Sequence, residues 1–191
     1  YPTGITLVGN NLYVSDYFNH SIRKIVISSG VVTTLAGTGT GTISTYTAGS
    51  TDDTGLDARF YGPFGLTTDG TNLYVADFNN HTIRKVVISS GEVTTLAGTA
   101  LSSGSTDATG ASARFDKPVG ITTDGTNLYV AEENNKTIRK VVISSGVVTT
   151  LAGSAGSHGS TDATATSARF NYPRDITTDG TSLFVSDYNN H

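Results

Sequence analysis

Residues 61–85 read YGPFGLTTDGTNLYVADFNNHTIRK, and residues 116–140 read DKPVGITTDGTNLYVAEENNKTIRK. These stretches open two copies of one 55-residue unit, because residues 61–115 and 116–170 differ at only 13 of 55 positions. An earlier copy occupies residues 1–60, and a shorter one occupies residues 171–191. A fixed period of this length is typical of repeat architectures and decides the fold class.

Each complete unit contains four short strand signals, which in the second copy fall at residues 65–68, 73–76, 82–88 and 93–96. Asp69-Gly70 between the first two is typical of a tight hairpin. No intervening segment shows the apolar period of 3.6 residues that a helix requires. Tandem units of four antiparallel strands predict an all-β chain folded as a β-propeller. An open β-solenoid is the alternative.

The repeat boundaries predict three complete blades and the first two strands of a fourth, at residues 1–60, 61–115, 116–170 and 171–191. Closed propellers have four to eight blades, and closure protects their sheet edges. We therefore expect further repeats of the same chain, or other copies of it, at the open sheet edge.

The second strand and the turn after it carry a family resemblance. Residues 73–77 read LYVAD and residues 80–84 read NHTIR, while the first copy has LYVSD at 12–16 and NHSIR at 19–23. This pattern resembles the NHL repeat, and the fuller unit is similar to tandem NHL arrays of bacterial surface proteins. The third copy departs from it, with Glu132 in place of the Asp and Lys136 in place of the His. The resemblance implies a propeller used for protein, carbohydrate or RNA binding, but the fold alone does not assign a function.

Composition narrows the classes of function. The net charge is −4 and there is no cysteine, so disulfide frameworks and cysteine-ligated zinc are excluded. A nucleic-acid binder usually has a basic surface, and the basic residues here recur singly, so we expect no nucleic-acid partner. No apolar run approaches the roughly 18 residues of a membrane span, so none is expected.

Strand order predicts which loops share a face. The turns between second and third strands and the interblade loops, residues 37–60, 98–115 and 153–170, fall on one side, here called the long-loop face. Loops longer than about 12–15 residues are usually functional or disordered, so this face is the predicted binding face. Its candidate residues are Asn19, His20, Asn80, His81, Asn135, Lys136, Asp107 and Asp162.

Other repeated residues of the same regions suggest structural roles. Each interblade loop ends in Ala-Arg-Phe, in which the Phe would pack between blades and the Arg would pair with a carboxylate or carbonyl. Asp16 and Asp77 would accept hydrogen bonds from the following turn or from Arg84 and its equivalents. The residues assigned to the loop ends are Arg59, Arg114, Arg169, Phe60, Phe115 and Phe170.

Candidate chemistry beyond binding is sparse. Asp107 and Asp162 lie in loops that offer too few carboxylates for Ca²⁺, which takes six to eight oxygens; an Asx-type turn suits them better. His20, His81 and His191 occupy equivalent positions in different blades, so they do not converge on one site. The triplets beginning at Asn19, Asn80 and Asn135 match the N-glycosylation pattern, but they arise from the repeat itself. No catalytic residue, metal or cofactor is predicted.

The sequence therefore predicts a non-enzymatic binding or structural scaffold, extracellular or at the cell surface, that contacts a protein or carbohydrate through the long-loop face. One alternative is a lyase- or lactonase-like propeller enzyme. It would need acids or metal ligands on the first strands near the axis, where Ile5, Leu66, Ile121 and Ile176 stand. The other is an RNA-binding NHL domain, which the acidic balance opposes.

Overall fold

The structure is a computed structural model that describes residues 1–39 and 48–191. Its strands form three four-stranded antiparallel sheets and one two-stranded sheet, each in sequential order. The strands of the first two sheets are β1 (Pro2–Val8), β2 (Asn11–Asp16), β3 (Ser21–Val26), β4 (Val32–Gly37), β5 (Pro63–Thr68), β6 (Asn72–Asp77), β7 (Thr82–Val87) and β8 (Val93–Ala97). Those of the other two are β9 (Pro118–Thr123), β10 (Asn127–Glu132), β11 (Thr137–Val142), β12 (Val148–Gly153), β13 (Pro173–Thr178) and β14 (Leu183–Asp187).

The predicted propeller is confirmed. Each sheet is one blade, and the first strands β1, β5, β9 and β13 lie side by side around a common axis. The helical content of the described residues is limited to single 3₁₀ turns: Tyr17–Asn19, Gly55–Asp57, Gly110–Ser112 and Ala165–Ser167. None of these turns has the length or apolar character that a membrane crossing requires.

The apolar core lies between blades rather than within one. Tyr74 and Ala76 of β6 pack with Leu128 and Val130 of β10, so both faces of a middle strand are buried against neighbouring blades. Equivalent clusters join the first blade to the second and the third to the fourth. Burial on both faces explains why the middle strands are apolar throughout.

Glycine on the inner strands sets the spacing of the blades. A Cβ atom on Gly65 would lie 2.3 Å from the Val119 carbonyl oxygen of the next blade, and one on Gly120 would lie 2.7 Å from the Asp175 Cα. No real side chain tolerates such distances, so the inner strands approach this closely only because glycine is present. The fourth blade has Asp175 where the others have glycine.

The interblade loops cross the long-loop face and also cover the outer edge of the following blade. After β8, the loop runs over the rim of the next blade, where the Ala108 carbonyl accepts from Val148 N–H and Gly110 N–H donates to the Gly146 carbonyl. It thereby covers the outer strand β12, and Val148 is only 1% exposed. The prediction that these whole loops belong to the long-loop face is corrected: their middle portions seal the outer edge of the following blade. Within the first loop, residues 40–47 lie outside the described residues.

Candidate functional site

A fully buried arginine joins each of the first two interblade loops to the blade that follows it. Arg84 on β7 donates to the Arg59 carbonyl at 2.9 Å, to Asp77 at 3.0 Å and to Asp52 at 2.6 Å. Its guanidinium carbon lies 5.2 Å from the ring centroid of Phe60. Arg139 repeats these contacts one blade later, with Glu132, Asp107 and Phe115. The conserved spacing of this junction within the chain is therefore a packing requirement.

The acidic residue at the end of the second strand completes the junction. Burial raises the pKa of the Asp77 carboxyl, and the positive charge of Arg84 and the hydrogen bond from Asn80 oppose that shift. The same balance of burial against the Arg139 charge raises the pKa of Glu132. Asp16 in the first blade is more open and lies 3.5 Å from Arg23. Asp16 and Asp77 contact the turn and the arginine as the sequence predicted, and Glu132 takes the same role in the third blade, which the sequence did not predict.

The motif asparagines are bound inside the chain, although the sequence placed them on the binding face. The Asn80 amide donates to the Gly49 carbonyl and to Asp77, both at 2.7 Å, and Asn80 is 1% exposed. Asn135 binds Gly104 and Glu132 in the same way, and Asn19 binds Asp16. Because both amide hydrogens of Asn80 and Asn135 are used, neither residue offers a partner or a glycan a free amide in the folded blade.

The next motif residue contacts the following blade. Nδ1 of His20 accepts from Gly62 N–H at 3.1 Å, and Nδ1 of His81 accepts from Lys117 N–H at 3.2 Å. Burial lowers the pKa of both imidazoles, which favours the neutral, accepting form. Lys136 takes this position in the third blade and places its ammonium 3.3 Å from the ring centroid of Tyr172. These three residues are interblade contacts rather than the free binding groups that the sequence suggested.

Asp107 joins its loop to β11 and β12 of the next blade and does not have the Asx-turn role that the sequence predicted. Its carboxylate accepts from Arg139 at 2.7 Å and from the Thr150 N–H and hydroxyl at 2.9 and 3.0 Å. Burial alone would raise the pKa of Asp107, but the Thr150 hydrogen bonds and the Arg139 charge outweigh it and hold the pKa below its ordinary value. The Asp107 carboxylate is thus engaged by protein donors. Asp162, one repeat later, is exposed.

The loop-end residues lie against the junction. Phe60 and Phe115 are fully buried, and Phe170 packs at the edge of the core between the third and fourth blades. Arg114 donates to the carbonyls of Ala111 and Ala113, which closes the 3₁₀ turn of its own loop. Arg59 and Arg169 make the equivalent carbonyl contacts. These arginines therefore pair with carbonyls, one of the two kinds of partner that the sequence predicted, and among the described residues they form no bond to a carboxylate.

About half of the differences between the second and third units fall in two segments of the long-loop face. Of the 13 differences between the second and third units, seven fall in residues 61–66 and 77–81 and their counterparts. Those segments are the start of the inner strand and the turn after the middle strand. The pairs are Tyr61/Asp116, Gly62/Lys117, Phe64/Val119, Leu66/Ile121, Asp77/Glu132, Phe78/Glu133 and His81/Lys136.

Aromatic side chains occupy the part of this face contributed by the first two blades. Tyr17 packs edge-on against Phe18, Phe64 and Phe78, at centroid distances of 5.1 to 6.1 Å. Such edge-to-face pairs are favourable and hold the rings in fixed positions. Phe18 is 45% exposed, so the cluster reaches solvent.

Charged side chains dominate the part contributed by the third and fourth blades. Lys117 lies 4.3 Å from the Phe78 ring centroid and donates to Asn79 at 2.6 Å. Burial lowers the pKa of Lys117, and the carboxylates of Asp116 and Glu133 oppose the shift. Arg174 lies 3.5 Å from Glu133. One half of the face is therefore aromatic and the other half carries both signs of charge.

A cavity of about 320 Å³ opens on the axis beneath these residues. All four blades line it, through residues that include Thr3, Phe64, Gly120, Arg174 and Asp175. Ile5, Leu66 and Ile121 also face it, as the sequence suggested, but the two charged lining residues come from the fourth blade. Within the described ranges, no three His, Asp or Glu side chains are grouped closely enough to hold a metal ion.

The sequence analysis did not identify the axial residues Arg174 and Asp175, because it relied on residues that are the same in every copy. The signal was present: residues 172–176 read YPRDI, where the second and third copies read GPFGL and KPVGI. A charged pair in place of the repeated Pro-x-Gly pattern indicates that close packing against the next inner strand does not determine these residues. Arg174 and Asp175 are therefore the functional candidates that the sequence could have shown.

Comparison with known proteins shows which proteins this chain is similar to. No family model matches it. Human NHL repeat-containing protein 2 is 31% identical over 158 residues, which is 78% of this chain and 22% of the relative. A Bacteroides thetaiotaomicron protein described as of unknown function superposes with a TM-score of 0.77 at 25% identity, over 97% of this chain and 44% of that one. An auxiliary nutrient binding protein from Bacteroides ovatus gives a TM-score of 0.72 at 20% identity, over all of this chain and 46% of that one.

This chain spans about a fifth of the length of the curated relative and less than half of either solved structure. The sequence identity extends over most of the repeats, and the solved structures share the fold. Together with the recurring Asp, Asn-His and Ile-Arg junction, they show that the chain belongs to the NHL-repeat family of β-propellers.

Proposed function

We propose that this chain is a non-catalytic binding scaffold, extracellular or at the cell surface, that engages a protein or carbohydrate through the axial part of its long-loop face. The observation that carries the proposal is the location of the differences between repeats. Between the second and third units, seven of the 13 differences fall within residues 61–66 and 77–81 and their counterparts, five fall in the interblade loop, and the rest of the blade differs only at Glu92/Val147. A residue that is needed to fold every blade should be the same in each copy. Residues that together recognise one partner are free to differ between copies.

The composition of the face supports a binding role. Tyr and Phe are enriched in the centres of binding surfaces, where large, rigid rings give contact area at little cost in entropy. Phe18 and Tyr188 are 45% and 64% exposed. The relative named as an auxiliary nutrient binding protein has this fold, and at 20% identity it supports only the suitability of the fold for binding.

The apolar sheet faces of the first and fourth blades support a second contact, with further repeats of this chain or with other copies. Ile5 is 61% exposed, whereas the equivalent Leu66 and Ile121 are each 6% exposed because a neighbouring blade covers them. Phe184 is 56% exposed, and the equivalent Tyr74 is 1% exposed. Elsewhere in the chain, the equivalent faces pack against another blade of the same repeat, so such a blade is the expected partner.

The test uses a phage-displayed peptide library and an array of defined glycans, each screened against the same three proteins. These are the wild type, a variant with Phe18→Ser and Tyr188→Ser on the long-loop face, and the control Ile27→Ser, which removes an exposed apolar side chain from the turn between β3 and β4 on the opposite face. We expect selected ligands to bind the wild type and the control alike and the face variant at least about tenfold more weakly, as for loss of an aromatic anchor. Equal binding to all three proteins would overturn the proposal.

A further inference from the structure

A short segment of the preceding interblade loop closes the rim of the second and third blades, residues 51–55 in one case and 106–110 in the other. Each segment lies antiparallel to the start of the outer strand, β8 or β12. Two backbone hydrogen bonds of 2.8 to 3.0 Å join segment and strand in each blade. The rim contact is therefore a strand addition, the mode by which many domains bind an extended peptide.

An aspartate in each segment anchors it to the blade. Asp52 accepts from Arg84 at 2.6 Å and from the Thr95 N–H at 2.9 Å, and the equivalent Asp107 makes the same two kinds of bond in the third blade. The carbonyl just before the aspartate accepts from the same arginine at 3.2 Å in both blades. The sequence that closes a rim is thus Thr-Asp-x-Thr-Gly.

The first blade has the same groups on its outer strand β4, and no described residue covers them. Val32 is 48% exposed, whereas its equivalents in the second and third blades are each 1% exposed. Among the described residues, the Val32 N–H and the Gly30 carbonyl have no hydrogen-bond partner. The Arg23 side chain is 27% exposed and approaches one carboxylate, that of Asp16, at 3.5 Å; the equivalent arginines are fully buried.

These groups select the chemistry of a partner. The free donor and acceptor of an edge strand pair with an extended backbone, and the Arg23 guanidinium favours a carboxylate held in a fixed position. The Asn19 amide adds a donor: Asn135 donates both to its strand-end acid and to the Gly104 carbonyl ahead of the loop segment, whereas Asn19 donates only to its acid. An extended segment with one aspartate matches all of these groups.

We propose that the edge of β4 in the first blade binds an extended segment of a partner polypeptide, of the type Thr-Asp-x-Thr-Gly, with its aspartate on Arg23. The site lies on the rim of the propeller, apart from the long-loop face. It therefore goes beyond the binding role proposed above and gives the chain a second, independent recognition surface.

The chain supplies the probe for the test. A peptide with the sequence of residues 104–112, GSTDATGAS, blocked at both ends, contains the segment that closes the third blade. The chain's own loops occupy the equivalent edges of the second and third blades, so the first blade is the expected place of binding. In control peptides, Asp107→Asn removes the carboxylate, and Gly110→Pro removes the N–H that pairs with the edge strand.

The protein variants isolate the role of the arginine. Arg23→Met removes the cation that should hold the aspartate, and Lys24→Met removes the same charge from the next residue. The variant with Phe18→Ser and Tyr188→Ser leaves the rim unchanged. Because Arg23 is partly exposed and has no close partner among the described residues, Arg23→Met is expected to fold.

Binding is followed by the amide shifts of Val31 and Val32 in ¹H–¹⁵N NMR spectra as the peptide is added. We expect the wild type, Lys24→Met and the long-loop-face variant to bind the peptide equally. Arg23→Met in the protein, or Asp107→Asn in the peptide, should weaken binding about tenfold or more, as for loss of a hydrogen bond to a charged group. Gly110→Pro should also weaken it, because the backbone pairing is lost.

Two results would overturn the rim site: no shift of these amides up to the solubility limit of the peptide, or equal affinities for Arg23→Met and Lys24→Met. Self-association of the wild type in sedimentation, abolished by Asp162→Asn, would assign the edge to the exposed loop of a second copy and overturn the assignment to a separate partner. Ligands that depend on Phe18 and Tyr188 are unaffected by either result, so the two binding proposals fail separately.

Discussion

Blades 2 and 3 share the order of their four strands, the buried arginine and the loop that crosses the rim, yet they present different groups near the axis. In blade 2 the positions around the axis hold Tyr61, Phe64 and Phe78, and in blade 3 they hold Asp116, Val119 and Glu133. The difference shows that the repeat has two parts under separate constraints. The junction built on Arg84 or Arg139 differs between the two blades in its acid, Asp77 or Glu132, whereas the axial surface differs in its charge and in its aromatic content.

The largest expected effect comes from removing the buried arginine. Arg139→Met leaves the carboxylate of Glu132 buried without its cation, and loss of one partner of a buried pair costs about 3–5 kcal/mol. Urea denaturation should show a fall of this size in the free energy of unfolding.

The matched control for this change is Arg23→Met in blade 1. Arg23 is 27% exposed and its contact with Asp16 is 3.5 Å, so this change should cost less than about 1 kcal/mol, as for an exposed pair. Equal losses for both variants would show that the junction does not hold the blades.

A smaller effect is expected from filling the space between inner strands. Gly65→Ala places a Cβ atom 2.3 Å from the Val119 carbonyl, so the blades must move apart at a cost of about 1–3 kcal/mol. Asp175→Ala is the control, because that position already carries a Cβ atom. Thermal melting should drop for Gly65→Ala and hardly change for Asp175→Ala; the same drop in both would contradict the spacing argument.

The histidine contacts make stability depend on pH. Burial lowers the pKa of His20 and His81, so the folded state prefers the neutral ring and the unfolded state takes up a proton first. The stabilisation is complete above the ordinary pKa of about 6.5 and is lost as the pH falls towards the lowered pKa. The melting temperature should therefore decrease between about pH 7 and pH 5.

Blade 3 again supplies the control, since Lys136 stands at the same position and the ordinary pKa of lysine, about 10.4, lies far above that range. A chain with His20→Lys and His81→Lys should lose most of this decrease. Asp116 lies 3.5 Å from His81 and can pair with the protonated ring, so His20→Lys should account for more of the change than His81→Lys. A pH dependence that persists unchanged in the double variant would assign it to other groups.

The smallest effect concerns one methylene group. The Thr82 hydroxyl is buried and has no hydrogen-bond partner among the described residues, whereas the equivalent Thr137 donates to Glu132 at 2.7 Å. Asp77→Glu should reach Thr82 and raise the free energy of unfolding by about 1 kcal/mol. The reverse exchange, Glu132→Asp, should lower it by a similar amount, and changes of the same sign in both would refute this explanation of the difference.

Much of the fold followed from the sequence. The strands predicted in the second copy at 65–68, 73–76, 82–88 and 93–96 agree with β5 to β8 to within two residues at each end. Local turn chemistry and the 55-residue period were sufficient, because each blade repeats the same short-range contacts. The acid at the end of the second strand and the loop-end phenylalanines were also assigned to packing from the sequence.

The candidate site was harder to predict from the sequence than the fold was. The motif Asn and His residues looked available because they are polar and follow a strand, but Asn80 is 1% exposed and His20 is 6% exposed. Their partners, such as Gly49 and Gly62, lie about 30 to 40 residues away in sequence, and no local pattern reveals such contacts. Arg174 and Asp175 depend on the convergence of four inner strands, which only the assembled propeller shows.

The central claim is that the partly exposed axial residues in which blades 2 and 3 differ are not required for folding. The most direct measurement is the free energy of unfolding of a chain in which Asp116→Tyr, Lys117→Gly and Glu133→Phe give blade 3 three of the axial residues of blade 2, while the buried Val119 is kept. The account predicts a value within about 1 kcal/mol of the wild type, because these groups lie outside the junction. A loss as large as that expected for Arg139→Met would show that the axial residues belong to the folding unit, and it would contradict the account.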